Sequence, residues 1–112
     1  MKLIIAGSRD LTISVEELDV LIKNHFDNIT EVVSGCAKGI DSVGINWAIK
    51  NNISVKKFVP NWKIGRAAGI IRNKDMGEYA DCAIVIYNGS SGSQHIIDFM
   101  HKLGKMCIVV KI

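Results

Sequence analysis

Short apolar runs that end in glycine or serine alternate along this chain with longer stretches of helical periodicity. That alternation limits the fold more than any other feature. Leu3 to Ala6 is a continuous apolar run stopped by Gly7-Ser8-Arg9-Asp10, the pattern of a strand buried on both faces. Ser14 followed three residues later by Glu17 forms a capping box, and Val15, Leu18, Leu21, Ile22 and Phe26 fall on one helical face. Glu31 to Val33 reads as a second strand, ending at Ser34-Gly35. A helix is predicted from Lys38 to about Asn51, with Ile40, Val43, Trp47 and Ala48 inward.

Val55 to Val59 reads as a third strand, closed by Pro60. Gly65 to Tyr79 is predicted helical through Ala67-Ala68, Ile70-Ile71 and Met76. Cys82 to Tyr87 carries the strongest strand pattern in the chain. Ser91 to Leu103 follows as a helix with Ile96, Ile97, Met100 and Leu103 inward and Gly104 as its C-terminal cap. Met106 to Val110 is the last strand. Strands joined by helices run parallel, and right-handed crossovers place the helices on both faces. The expected fold is therefore α/β, a three-layer Rossmann-like domain on a five-stranded, mostly parallel sheet.

The length, 112 residues, suits a single domain over residues 1–112. Hydrophobic residues make up 48% and charged residues 22%, which excludes disorder, collagen and coiled coil. Fourteen basic and eleven acidic residues leave +3, a balance that permits an anionic ligand but lacks the dense positive field of a DNA-coating protein. Cys36, Cys82 and Cys107 show no metal or disulfide spacing and read as free thiols of a reducing cytoplasm. The N-terminal apolar run is too short for a secretory signal or a membrane span. A cytoplasmic protein with no membrane partner is expected.

In folds of this class the ligand lies beyond the carboxyl ends of the strands. Three Gly- and Ser-rich segments fall there: Gly7-Ser8-Arg9, Ser34-Gly35 through Lys38-Gly39 and Asp41, and Gly89-Ser90-Ser91-Gly92-Ser93. Glycine permits close backbone approach, and helix N-termini direct N–H groups at anions. Arg9 and Lys38 add positive charge. The spacing matches neither a dinucleotide fingerprint nor a P-loop nor a nucleophile elbow. The histidines show no metal spacing, and only His95 is expected near a ligand. No metal and no cofactor are expected.

Together these motifs resemble the SLOG superfamily, and within it the small stand-alone branch similar to YspA and YpsA proteins. The resemblance rests on Gly7-Ser8-Arg9, Ser34 to Asp41, Asn61-Trp62 through Gly65, Ala68-Gly69, Arg72-Asn73 with Met76, Ala80-Asp81, and Gly89 to Ser93. It spans essentially the whole chain. It implies a Rossmann-like domain that binds a nucleotide or nucleotide-derived ligand of ADP-ribose or cyclic-nucleotide type, in a sensing or sequestering role. Arg72 and Asn73 would then reach the ligand from the third helix. Related proteins pair, so a homo-oligomer is also expected.

Two other branches sharpen the expectation. The lonely-guy phosphoribohydrolases cleave the N-glycosidic bond of nucleoside monophosphates. Against their pattern the phosphate loop aligns in register here, but the catalytic glutamate falls on Ile96. Isoleucine can neither exchange a proton nor stabilise an oxocarbenium ion. Binding without catalysis is therefore expected, and the apolar spacing turns Ile96 toward the core. DNA-processing protein A shares the first-half motifs and binds single-stranded DNA. A nucleic-acid partner is the less favoured alternative, because Trp62 is the sole candidate stacking platform and its favoured reading is packing against the third helix.

Overall fold

The computed structural model describes residues Met1–Ile112. Five strands and four α-helices alternate as expected: β1 (Lys2–Gly7), α1 (Val15–His25), β2 (Glu31–Ser34), α2 (Ile40–Lys50), β3 (Ser54–Lys57), α3 (Ala68–Tyr79), β4 (Cys82–Tyr87), α4 (Ser91–Lys102) and β5 (Met106–Lys111). A 3₁₀ turn, Trp62–Ile64, stands between β3 and α3. The strands form one sheet in the order β3-β2-β1-β4-β5, and every pairing is parallel. The chain steps outward from β1 to β3, then returns past β1 to lay down β4 and β5.

Period-two alternation along β1 shows why this sequence makes three layers. Leu3 and Ile5 face one side, where they pack with Leu18, Ile22 and Phe26 of the α1 segment and Ile40, Val43 and Trp47 of α2. Ile4 and Ala6 face the other side, against Met76 of α3 and Ile96, Ile97 and Met100 of α4. Gly44 lets α2 settle onto the sheet, since a Cβ there would stand 2.8 Å from Ile5 Cγ2. Ser14 Oγ accepts from Glu17 N at 3.0 Å, the N-cap half of the expected capping box, while the Glu17 carboxylate accepts from the Ser14 hydroxyl at 3.2 Å and not from the Ser14 backbone.

Three boundaries differ from the sequence expectation by two residues or more. The third strand ends at Lys57, before Phe58-Val59-Pro60. The second helix begins at Ile40, because its N-cap Gly39 has φ +73°, outside the helical region. The third helix begins at Ala68, not Gly65. Gly65 has φ +101° and terminates the 3₁₀ turn, so the chain enters α3 only afterwards. The inner face of α3 also differs: Ala68, Asn73, Met76 and Gly77 are buried, while Ile70 and Ile71 are exposed. Phe99 explains part of this, since it lies where a Cβ on Gly77 would stand, 2.6 Å from its Cδ2. Leu103, expected inward, is also exposed. No helix is long and apolar enough to cross a membrane.

Candidate functional site

The order β3-β2-β1-β4-β5 reverses direction between β1 and β4, and a cavity of about 590 Å³ opens at the carboxyl ends of those two strands. Its floor is Ala6 and Gly7 at the end of β1. The first turn of α4 forms one wall, and the segment from Trp62 into α3 forms another. This is where open α/β sheets hold their ligands, and the volume lies within the ~300–1,000 Å³ typical of small-molecule sites.

The α4 wall presents the N–H groups of a helix start. Ser90 is the N-cap in an extended conformation, yet its side chain makes no capping hydrogen bond. The first-turn N–H groups of Ser91, Gly92 and Ser93 therefore keep the orphan-donor character of a helix start, with the positive end of the dipole behind them. The Ser90 hydroxyl is engaged sideways, 2.8 Å from Ser93 Oγ and 3.0 Å from Ser8 Oγ. Ser8 Oγ in turn donates to Asn88 Oδ1 at 2.5 Å. This hydroxyl chain ties the β1 and β4 loops together.

Charge around the cavity has a small positive balance. Arg9, Arg66 and Arg72 line it, with Asp10 and Asp41 as the acidic members. The chain's two ion pairs, Lys23–Asp19 and Lys50–Glu16, lie elsewhere, so no guanidinium here is committed to a carboxylate within 4.0 Å. Asp41 is buried, and that burial raises its carboxyl pKa despite the Ala37 N–H at 3.2 Å and the positive charge of Arg72. Burial also lowers the pKa of the Arg72 guanidinium, which stays protonated at neutral pH, with Asp41 opposing the shift.

Asn73 organises the neighbouring groups. Its Oδ1 accepts from Arg72 Nε at 3.0 Å, and its Nδ2 donates to the Gly92 carbonyl at 3.3 Å. The same Nδ2 lies 3.2 Å from His95 Nδ1. An amide nitrogen only donates, so His95 Nδ1 accepts and the ring proton belongs on Nε2. Burial, then the nearby Lys74 charge, lowers the His95 pKa against the pull of Asp98, which also favours the neutral ring.

Of the residues singled out from sequence, Gly7, Arg9, Asp41, Arg72, Asn73, Ser90, Ser91, Gly92, Ser93 and His95 line the cavity. Ser8 supports it from behind. The others lie outside it, for identifiable reasons. Ser34 is buried at the end of β2, where its Oγ accepts from Cys36 N at 3.1 Å. Gly35 receives Arg72 Nη1 on its carbonyl at 2.6 Å. Gly39 packs under the β1–α1 loop, where a Cβ would meet the Arg9 and Leu11 carbonyls at 2.6 Å. Lys38 is exposed away from the cavity, and Gly89 takes φ +102° in the turn before α4.

Asp10, Arg66, Gly69, Ile70 and Met76 also line the cavity and were not among the expected site residues. Trp62 does as well. It stands beside the third helix, where a Cβ on Gly69 would lie 3.8 Å from its Cη2, and remains 58% exposed. Ile96 is 2% exposed and belongs to the α3–α4 core while closing the base of the cavity. The three cysteines are free, and burial pushes the Cys82 and Cys107 thiols up to about 11. No group of three His, Cys, Asp or Glu side chains is arranged to hold a metal ion.

A family model, that of the YspA, cpYpsA-related SLOG family, matches residues 1–65. The chain belongs to this family. The match covers β1 through the 3₁₀ turn, and so includes Gly7-Ser8-Arg9, the Ser34 to Asp41 segment and Trp62. The α3 and α4 walls of this SLOG protein's cavity lie beyond the matched segment. Membership is consistent with a nucleotide-related function. No curated protein and no solved structure matches the chain.

Proposed function

We propose that the cavity at the β1–β4 reversal binds a nucleotide or a nucleotide-derived ligand of ADP-ribose or cyclic-nucleotide type. The observation that carries this reading is the uncapped α4 start, Ser91 to Ser93, facing a cavity lined by Arg9, Arg66 and Arg72. Backbone N–H groups and guanidinium groups together suit phosphate oxygens. Three guanidiniums oppose two carboxylates, and the burial of Asp41 biases one of those toward its neutral form. Asp10, exposed on the rim, suits the hydroxyls of a ribose.

The reading is one of binding, with a sensing or sequestering role. Ile96 closes the base of the cavity with an alkyl group, which supports no acid–base step. Native mass spectrometry of the protein purified from cells tests the proposal. The expected spectrum carries an added mass matching a nucleotide-derived compound, displaced by excess ADP-ribose. Bare protein that also takes up neither AMP nor ADP-ribose when they are added overturns it.

A further inference from the structure

The two tryptophans of the chain are in opposite states. Trp47 is 3% exposed, and its Nε1 donates to Asp19 Oδ1 at 3.0 Å. Trp62 is 58% exposed on the 3₁₀ turn, belongs to neither buried core cluster and lies on the cavity wall. Leaving so large an apolar ring in water forgoes its burial energy, so its placement calls for an explanation.

The backbone around Trp62 holds the ring at the cavity and keeps its surroundings open. Asn61 Oδ1 accepts from Lys63 N at 3.2 Å and caps the turn, while Gly65, at φ +101°, ends it. Gly69, in the first turn of α3, lies beneath the ring edge: a Cβ there would be 3.8 Å from Trp62 Cη2. Any longer side chain at position 69 would project into the space beside the indole. Ile70, 48% exposed, adds a second apolar side chain to the same wall.

The cavity thus has a wall of helix-start N–H groups at Ser91 to Ser93 and an aromatic wall at Trp62, with Arg66 four residues beyond the indole. We infer that Trp62 is the stacking surface for the base of the bound nucleotide, so that the ligand class is a phosphate ester carrying an aromatic base and not a sugar phosphate alone. This rests on the nucleotide reading above and adds to it the group that selects the base. Charge agrees with it: residues 42–74, which include Trp62 and Arg66, hold seven Lys or Arg and no Asp or Glu, so an electron-rich anionic ligand meets no acidic side chain from this segment. The indole offers a flat π-face to any base, whereas Arg66 can pair with phosphate or lie over the base itself.

The test compares AMP with ribose 5-phosphate on the wild-type protein, Trp62→Ala and Trp62→Phe. Stacking of a base on the exposed indole is expected to quench Trp62 emission on AMP addition but not on ribose 5-phosphate addition. Trp62→Ala is expected to weaken AMP roughly tenfold while leaving ribose 5-phosphate within twofold, and Trp62→Phe to restore most of the AMP affinity. Unchanged AMP affinity in Trp62→Ala overturns the inference and leaves the nucleotide reading standing. Equal losses for both ligands overturn it too, since they mark a structural role. An indole signal that follows protein concentration and not AMP assigns Trp62 to contact between copies of the chain and also overturns it. Failure of the wild-type protein to bind AMP at all removes the nucleotide reading and this inference together.

Discussion

The Arg72 guanidinium occupies the space that a side chain on residue 35 would need. Its Cζ lies 2.8 Å from the position of a Gly35 Cβ, and its Nη1 donates to the Gly35 carbonyl at 2.6 Å. A loop after β2 and a helix thirty-seven residues later are thereby locked together beside the cavity. Asp41 completes the arrangement, with Oδ2 at 3.2 Å from the same Cβ position.

Gly35→Ala is accordingly expected to destabilise the fold by about 1–3 kcal/mol, the usual scale of overpacking in a filled site. Arg72→Ala removes the obstructing group, so the double variant is expected to be more stable than the sum of the two single losses implies. Urea denaturation of the four proteins reads this directly. Strictly additive losses would show that Arg72 and Gly35 do not share the space.

Asp41 gives a pH signature. Burial raises its folded-state pKa, so the folded protein keeps this proton where the unfolded chain has lost it. The stability linked to Asp41 is full below the ordinary carboxylate pKa and is lost as pH rises through the raised value. Asp41→Asn keeps an oxygen for the Ala37 N–H and removes the titration. The stability difference between variant and wild type is expected to shift in favour of the variant as pH rises across that window. A difference that is flat with pH would contradict the assignment.

Arg66 is exposed, lies on the cavity and belongs to neither ion pair. Arg66→Ala is therefore expected to leave stability within about 0.5 kcal/mol. It is expected to weaken AMP binding by roughly tenfold or more, the scale of one charge-assisted hydrogen bond. Thermal melts and titrations on the same preparation separate the two effects. Loss of stability without loss of affinity would place Arg66 in the scaffold.

Much of this was legible in the sequence, because the strands announce themselves locally. Leu3 to Ala6 and Cys82 to Tyr87 are apolar without interruption, and strands buried on both faces require that. The Gly-Ser segments sit directly after strands, and parallel topology sends such segments to one sheet edge. The α3 side was harder. Ile70-Ile71 looks like an inner stripe, yet Asn73 and Gly77 take the inner face because Phe99 needs the gap and Asn73 serves Gly92 and His95. Arg66 carried no motif, and its only signal was the glycine before it. Trp62's exposure depends on where a three-residue turn leaves its side chain, which periodicity does not report.

Catalysis offers a separate check. Ile96 is core-packed, and no neighbouring carboxylate takes its place in the first turn of α4. AMP incubated for hours with micromolar protein is expected to yield no free base at enzymatic rates. Turnover near ~1 s⁻¹ would mean that Asp10, Asp41 or His95 performs the chemistry.

The central claim is that the cavity between β1, α3 and α4 takes nucleotides. Isothermal titration calorimetry of AMP and ADP-ribose against the wild-type protein tests it most directly, with a single-stranded oligonucleotide as the competing partner and two salt concentrations. The expected result is saturable binding of one nucleotide per chain with a shallow salt dependence. Binding of the oligonucleotide alone, falling steeply with salt and with no heat from either mononucleotide, would contradict it.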